Sequence, residues 1–181
     1  MIKIVTGSPR KQQEITKYIN GRIQFEFIAQ DLNEIQGTAT EVLVQKLKDA
    51  HALVGGPVVV EDFSLYIDAL CGFPGPYVKS ILSSGGLGQI VKNLQPLGAT
   101  SCEAESLFAY MDEAGEVHTF SSKVKGTLVP LDEPADGLFG IDKSMIQAGT
   151  TIPFFHLSEE EKDARSIRRE TIDKLVSHIS Q

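Results

Sequence analysis

The stretch of residues 58–82, VVVEDFSLYIDALCGFPGPYVKSIL, is the part of the chain around which the rest is organised. A run of three valines delivers two adjacent carboxylates, Glu61 and Asp62, and a second apolar-rich run leads into a Gly-Phe-Pro-Gly-Pro turn. Carboxylates are costly to bury unless they are paired or bind a metal. A corner rich in proline and glycine indicates a rigid loop that holds a site. The stretch therefore predicts a buried strand that carries functional acids.

The bulk composition bounds the class of protein. The chain has 181 residues, which suits one domain or one domain with a modest lobe, and 41% of them are hydrophobic, which is enough for a core. A net charge of −7 argues against a protein that coats nucleic acid, because duplex binding neutralises phosphates with Lys and Arg. Neither a signal region nor an apolar run of about 18 residues is present, so a cytoplasmic protein without a membrane partner is expected. Cys71 and Cys102 have no metal or redox spacing.

The N-terminal segment predicts a strand, a tight turn and a helix. Residues 2–5 are a short apolar strand, residues 6–9 (Thr-Gly-Ser-Pro) break it, and a helix follows over residues 10–18 with Ser8 as its N-cap. Free backbone N–H groups and the helix dipole make such a junction an anion site. The basic first turn, which includes Lys11, opposes the dipole unless an anion binds there. A solvated basic turn explains this fragment equally well.

The next segment continues the alternation of strands and helices. Residues 23–29 alternate as a strand, a loop carries Glu34, and residues 41–53 have the apolar spacing of a helix. Lys46 and Lys48 lie off the apolar stripe of that helix, and the residues alone favour a solvated helix face for both.

The C-terminal half predicts a hairpin and a broken helix. Residues 101–111 and 117–129 are the strands of the hairpin, a loop covers residues 130–140, and the last helix begins near Ser158 and breaks near Ser166. Strands that alternate with helices early and a long hairpin later indicate an α/β protein with a mixed sheet flanked by helices.

The charged residues suggest phosphate chemistry. Glu34 and Asp62 lie after strands or at strand ends, where ligands of α/β sheets collect. Mg²⁺ typically takes one or two carboxylates together with substrate oxygens, and it orients an attacking water. The basic residues that could surround a polyphosphate are Lys11, Lys46, Lys79, Lys162 and Arg168. Metal-assisted phosphate chemistry is the hypothesis that these residue types support.

Five segments, in the same order, resemble motifs of the inosine triphosphate pyrophosphatase family. Residues 6–11 (TGSPRK) resemble T-G-N-x-x-K, and residues 34–37 (EIQG) resemble E-x-Q-G. Residues 60–77 resemble V-E-D followed by A-L-x-G-x-P-G-x-Y, which is the most specific match. Residues 139–142 (FGID) resemble F-G-W-D, and residues 166–168 (SIR) resemble S-H-R. The resemblance covers nearly the whole chain.

The resemblance implies a reaction and a set of site residues. Members hydrolyse deaminated purine nucleoside triphosphates such as ITP, dITP and XTP to the monophosphate and pyrophosphate. By resemblance, Asp62 and Lys11 are catalytic, with Asp62 the base for the attacking water, and Glu34 and Asp62 hold Mg²⁺. Glu61 is expected to support Asp62. The substrate-binding residues implied are Thr6, Gly7, Ser8, Lys11, Lys46, Lys79, Phe139, Gly140, Asp142, Lys162 and Arg168.

The resemblance also implies an architecture. Residues 1–181 are expected to form a single domain, an elongated mixed sheet flanked by helices with two lobes around a central cleft, and the family usually forms homodimers. The expected partner is a nucleoside triphosphate, with no nucleic acid and no membrane.

The departures from the family motifs concentrate in the residues that read the base. Ser8 replaces the family's Asn, Ile141 replaces its Trp, Lys143 its Pro and Ile167 its His. Apolar groups discriminate weakly where hydrogen-bonding groups discriminate strongly, so retained hydrolysis with an altered base preference is predicted. The preferred base stays open. An alternative is a non-catalytic nucleotide-binding sensor, or a dimeric scaffold, derived from this fold.

Overall fold

The computed structural model describes residues 1–130 and 140–181 and divides the chain into two compact units. The first unit comprises Met1–Asp62, Ser106–Ser122 and Ile167–Gln181, and the second comprises Phe63–Glu105 and Lys123–Ser166. The prediction of a single domain over residues 1–181 stays a prediction.

Within residues 1–130 and 140–181, seven strands form one mixed sheet. In chain order they are β1 (Ile2–Val5), β2 (Phe25–Ile28), β3 (Val58–Ile67), β4 (Pro74–Gly75), β5 (Ser101–Met111), β6 (Val117–Leu128) and β7 (Met145–Gln147). The order in the sheet is β2-β1-β3-β5-β6-β7, with β4 paired to β3. Strand β1 pairs in parallel with β2 and β3, whereas β4 and β7 pair antiparallel with β3 and β6. The prediction of an α/β fold with a mixed sheet flanked by helices is confirmed.

Four helices lie close to where the sequence analysis predicts them, namely α1 (Pro9–Ile19), α2 (Ala39–Val54), α6 (Glu159–Arg165) and α7 (Ile167–Ile179). The described residues also form α3 (Val78–Ser83), α4 (Gly86–Leu94) and α5 (Gly140–Ser144). The predicted break near Ser166 is confirmed, because this residue is the extended C-cap between α6 and α7. Most of the loop predicted over residues 130–140 lies outside the described residues.

The core of the first unit joins β1, α1, β3, β5 and α7. Helix α1 contributes Ile15 and Ile19, which lie four residues apart on one face, and α7 contributes Ile172. Burying each such side chain stabilises the fold by about 1.5–3 kcal/mol. The buried members are Ile2, Ile4, Ile15, Ile19, Val59, Phe108, Tyr110, Ile172, Leu175 and Val176. Since β3 and α7 both enter this core, the polar residues that they carry are held in place.

Local signals set the ends of the two N-terminal helices. The Ser8 side chain accepts a hydrogen bond from the Lys11 backbone N–H, which caps α1. Helix α2 begins with a capping box formed by Thr38 and Glu41, and it ends at Gly55, whose φ of 62° is readily available only to glycine. These caps position the one charged residue of α2 that is buried, Lys46.

The second unit is built around the continuation of β3 and the pairing of β6 with β7. The turn predicted to be rigid contains a cis Phe73–Pro74 peptide bond, and Pro74 pairs with Tyr66 of β3. Strands β6 and β7 approach closely at Gly126, where a Cβ atom would lie 2.4 Å from the carbonyl oxygen of Ile146. Glycine is therefore required at this position of β6.

Among the described residues, no helix has both the length and the apolar character needed to cross a membrane. Cys71 and Cys102 are both free thiols.

Candidate functional site

The two adjacent acids of β3 are both buried, with relative exposures of 5% for Glu61 and 6% for Asp62. Successive side chains of a strand point to opposite faces of the sheet. The two carboxylates accordingly meet different cations, and they form two separate ion clusters within the first unit.

The Glu61 cluster joins helices α1 and α7 to β3. Glu61 Oε2 lies 2.6 Å from Lys11 Nζ, and Glu61 Oε1 accepts hydrogen bonds from Arg168 Nη2 at 2.9 Å and Nε at 3.1 Å. Burial would raise the pKa of Glu61, but the charges of Lys11 and Arg168 lower it to about 2. Glu61 is therefore ionised at neutral pH, and its partners are Lys11 and Arg168. The expectation that Glu61 supports Asp62 stays a prediction.

Arg168 has a second carboxylate partner, Glu14 of α1, to which its Nη1 donates. Burial would lower the pKa of Arg168, but Glu61 and Glu14 raise it above its ordinary value. Glu14 also accepts a hydrogen bond from Arg10 Nε at 2.9 Å. Glu14 is a member of this cluster that the sequence does not predict. The available signal was an acid one helical turn after Arg10, a spacing typical of any solvated pair.

The Asp62 cluster contains both carboxylates predicted to hold a metal. Lys46 Nζ donates to Asp62 Oδ1 at 3.0 Å and to Glu34 Oε1 at 2.9 Å. Lys46 is only 7% exposed, so the solvated position that the residues alone favoured is wrong for Lys46, whereas Lys48 is exposed. The cause is tertiary: two carboxylates from other segments compensate the buried ammonium.

The ionisation of this cluster reflects burial and charge together. Burial raises the pKa of Asp62, and this outweighs the opposing effect of Lys46 and Lys11. Burial would lower the pKa of Lys46, but Asp62 and Glu34 raise it above its ordinary value.

The free acceptor of Asp62 fits a cation or a water molecule. Asp62 Oδ2 is buried, and no group in residues 1–130 or 140–181 donates a hydrogen bond to it. Buried oxygens of this kind are normally satisfied, so an unmatched carboxylate oxygen indicates a missing partner. Hard divalent cations prefer carboxylate oxygens. The Glu34 carboxylate is a second one nearby, because it contacts the same Lys46 ammonium group as Asp62 does. The donor set therefore fits Mg²⁺.

The turn before α1 is compact. The Ser8 backbone N–H donates to Thr6 Oγ1 at 3.3 Å, and the Lys11 backbone N–H donates to Ser8 Oγ at 3.4 Å. A Cβ atom on Gly7 would lie 2.5 Å from Asp31 Oδ1, so Gly7 allows the next loop to approach. The structure thus brings Thr6, Gly7, Ser8 and Lys11 together at one helix N-terminus, as the sequence predicts.

The second unit carries the other predicted substrate-binding residues. Lys79 is exposed on α3, and Asp142 lies on α5. Gly140 is the first residue of α5. Phe139 lies outside the described residues.

Lys162 of α6 is the predicted residue with the clearest surroundings in the second unit. Its Nζ lies 3.0 Å from Glu159 Oε1 and 5.5 Å from the centroid of the Phe155 ring. Lys143 Nζ lies 5.2 Å from the same ring. Two ammonium groups near one aromatic ring are a cation–π arrangement, which the sequence analysis did not predict.

Comparisons with known proteins cover nearly the whole chain. A model described as the Ham1 family matches residues 2–178. An inosine triphosphate pyrophosphatase of Puccinia graminis f. sp. tritici is 33% identical over 185 residues, which covers 98% of this chain and 95% of that protein. A HAM1 protein from Coxiella burnetii superposes with a TM-score of 0.79 at 21% identity over 99% of both chains. The Staphylococcus aureus Ham1 protein superposes with a TM-score of 0.77 at 19% identity over 98% of both chains. At these identities the structural likeness shows a shared fold.

Proposed function

The chain belongs to the Ham1 family, and we propose that it is a nucleoside triphosphate pyrophosphatase that removes deaminated purine nucleotides such as ITP, dITP and XTP from the nucleotide pool. The family match and the relatives named inosine triphosphate pyrophosphatases support this proposal. The observation that carries it is the buried Asp62, which has one oxygen held by Lys46 and the other without a hydrogen-bond donor among the described residues.

The reaction proposed is hydrolysis between the α and β phosphates. A water oxygen forms a bond to the α phosphorus, the bond from that phosphorus to the bridging oxygen breaks, and pyrophosphate leaves with the electron pair. Asp62 accepts the proton of the water through Oδ2. Because burial raises the pKa of Asp62, its carboxylate is a stronger base than an exposed one.

Mg²⁺ is the proposed cofactor, with Glu34 and Asp62 as its protein ligands. When bound, such an ion neutralises phosphate charge and polarises the phosphorus centre. In the metal-free protein Lys46 holds these two carboxylates, since its ammonium group contacts both.

The triphosphate is proposed to bind at the N-terminus of α1. The turn at Thr6, Gly7 and Ser8 precedes the first N–H groups of this helix, and the positive end of its dipole favours an anion. Lys11 adds a positive charge, on a side chain that is 26% exposed and whose ammonium group contacts the buried Glu61. This contact restricts the Lys11 side chain at the first turn of α1.

The residues proposed to read the base are altered relative to the family. Ile141 is buried, and Ile167 is half-buried at the start of α7. Because the side chain of isoleucine has no polar atom, neither position offers a side-chain hydrogen bond. Asp142, Lys162 and Arg168 keep charged groups that the resemblance assigns to the substrate. We propose a shifted or relaxed base preference for this reason. A homodimer and a cytoplasmic location are also proposed, on the family resemblance.

The test is a turnover panel. Pyrophosphate release is measured with Mg²⁺ and ITP, XTP, dITP, dUTP, GTP or ATP, on the wild type, Asp62→Asn and the control Asp68→Asn, whose carboxylate is exposed. We expect release from at least one nucleotide, a loss of about 10²–10⁴-fold in kcat for Asp62→Asn, and little change for the control.

Two results refute the proposal. Absence of pyrophosphate from every nucleotide with Mg²⁺ present excludes the reaction, and nucleotide binding without turnover then favours the sensor. Wild-type turnover by Asp62→Asn excludes Asp62 as the base.

A further inference from the structure

Lys46 occupies the position where a cation is expected. Its ammonium group lies 2.9 Å from Glu34 Oε1 and 3.0 Å from Asp62 Oδ1, and these two side chains are the proposed metal ligands. In the protein as folded, one positive charge therefore already bridges the two carboxylates.

The fold holds this ammonium in place. The Lys46 side chain is 8% exposed, and its helix neighbours Leu43, Leu47 and Ala50 are fully buried. The capping box at Thr38 fixes the start of the same helix. The packing of α2 therefore fixes the contacts of Lys46 with Glu34 and Asp62, which distinguishes them from a mobile surface ion pair.

A metal ion and the ammonium compete for the negative charge of the same two carboxylates. Asp62 Oδ2, which Lys46 does not contact, has no hydrogen-bond donor among the described residues, so an ion that binds there shares the carboxylate with the ammonium. Mg²⁺ binds oxygen at about 2.1 Å, which brings its charge close to that ammonium. Two positive charges at such spacing also repel, and they repel more strongly in a buried site than in water. Occupation by one cation thus weakens binding of the other.

We propose that Lys46 is a built-in competitor of the divalent ion: it neutralises Glu34 and Asp62 in the metal-free protein and gives up at least one of them when the ion binds. The released ammonium group then becomes available for a substrate phosphate, a step that rests on the proposed function. Neither the buried Asp62 nor Glu34 is then left without a cation.

The test uses Mn²⁺ as a paramagnetic probe of the nucleotide-free protein. Free Mn²⁺ is measured by electron paramagnetic resonance with the wild type, Lys46→Met and the control Lys48→Met. Methionine keeps most of the side-chain length without the charge, and Lys48 is an exposed lysine of the same helix. We expect at least about tenfold tighter Mn²⁺ binding for Lys46→Met, because the competing charge is removed. The control should stay within about twofold of the wild type, because an exposed charge is screened.

Equal or weaker Mn²⁺ binding by Lys46→Met overturns the proposal, since Lys46 would then organise the site without competing. No measurable binding to either protein overturns it as well. Should Lys46→Met fail to fold, the ¹⁵Nζ signal of Lys46 in the wild type provides the test. The signal must shift on titration with Mg²⁺, and a signal unchanged at saturation overturns the proposal.

The outcomes separate this inference from the proposed function. Pyrophosphate release by the wild type without tighter Mn²⁺ binding by Lys46→Met refutes the competition alone. Tighter Mn²⁺ binding in a protein that hydrolyses none of the nucleotides supports the competition and refutes the proposed function.

Discussion

Replacing Glu61 with glutamine removes the negative charge that Lys11 and Arg168 share, and we expect a loss of about 3 kcal/mol of stability at neutral pH. The pKa of Glu61 falls from 4.5 to about 2 in the folded protein. Each unit of such a shift corresponds to about 1.4 kcal/mol, which gives the expected loss. Breaking a buried ion pair by removing one partner costs about 3–5 kcal/mol, so the two arguments agree.

The same shift predicts how the loss depends on pH. Because the pKa is lowered on folding, the Glu61 charge contributes its full stability above pH 4.5 and loses it as the pH falls towards 2. Glutamine makes no such contribution at any pH. The difference in the free energy of unfolding between the two proteins should therefore shrink to about 1.4 kcal/mol at about pH 3, where most of the wild-type contribution is already lost.

The assay is urea unfolding of the wild type and Glu61→Gln at several values between about pH 7 and about pH 3. Glu113→Gln serves as the control, since Glu113 is an exposed glutamate of the same unit. Its free energy of unfolding should stay close to that of the wild type at every pH. If the loss of unfolding free energy in Glu61→Gln does not change with pH, the shape of the side chain, and not its charge, stabilises the fold. A difference below about 1 kcal/mol at pH 7 would refute the buried ion cluster itself.

Three further substitutions, one of them with a control, test other parts of the structure. Lys11→Met should weaken the binding of inorganic pyrophosphate by about tenfold or more, since a hydrogen bond to a charged group is lost, and unchanged affinity by calorimetry would contradict this role. Gly126→Ala should lower stability by about 1–3 kcal/mol in thermal unfolding, because its methyl group would lie 2.4 Å from the Ile146 oxygen. Gly88→Ala, where the structure leaves open space, should not be destabilising. Thr38→Ala should cost about 1 kcal/mol by removing the N-cap of α2, and an unchanged unfolding temperature would argue against the capping box.

Much of the fold could be predicted because its signals are local. The valine run of β3, the Ser8 and Ser158 caps and the break at Ser166 each depend on a few neighbouring residues. Hydrophobic periodicity then placed the helices, since one face of each must be buried.

The candidate site was harder to predict, because charged residues on a helix are usually solvated. Lys46 lies off the apolar stripe of α2, so periodicity favours exposure, yet it is buried between two carboxylates. Glu14 carried no signal beyond its spacing from Arg10, and its contact with Arg168 spans 154 positions of sequence.

The amino-acid sequence by itself indicated the family, through motifs in the same order, and it placed two acids at residues 61 and 62 of a buried strand. The tertiary structure alone decided which cation each acid meets. Adjacent residues of a strand point to opposite faces, and only chain packing brings α7 to Glu61 and α2 to Asp62. The stretch of residues 58–82 therefore specified that acids would be buried, whereas segments 16 and 107 positions away supply the charges that make this burial possible.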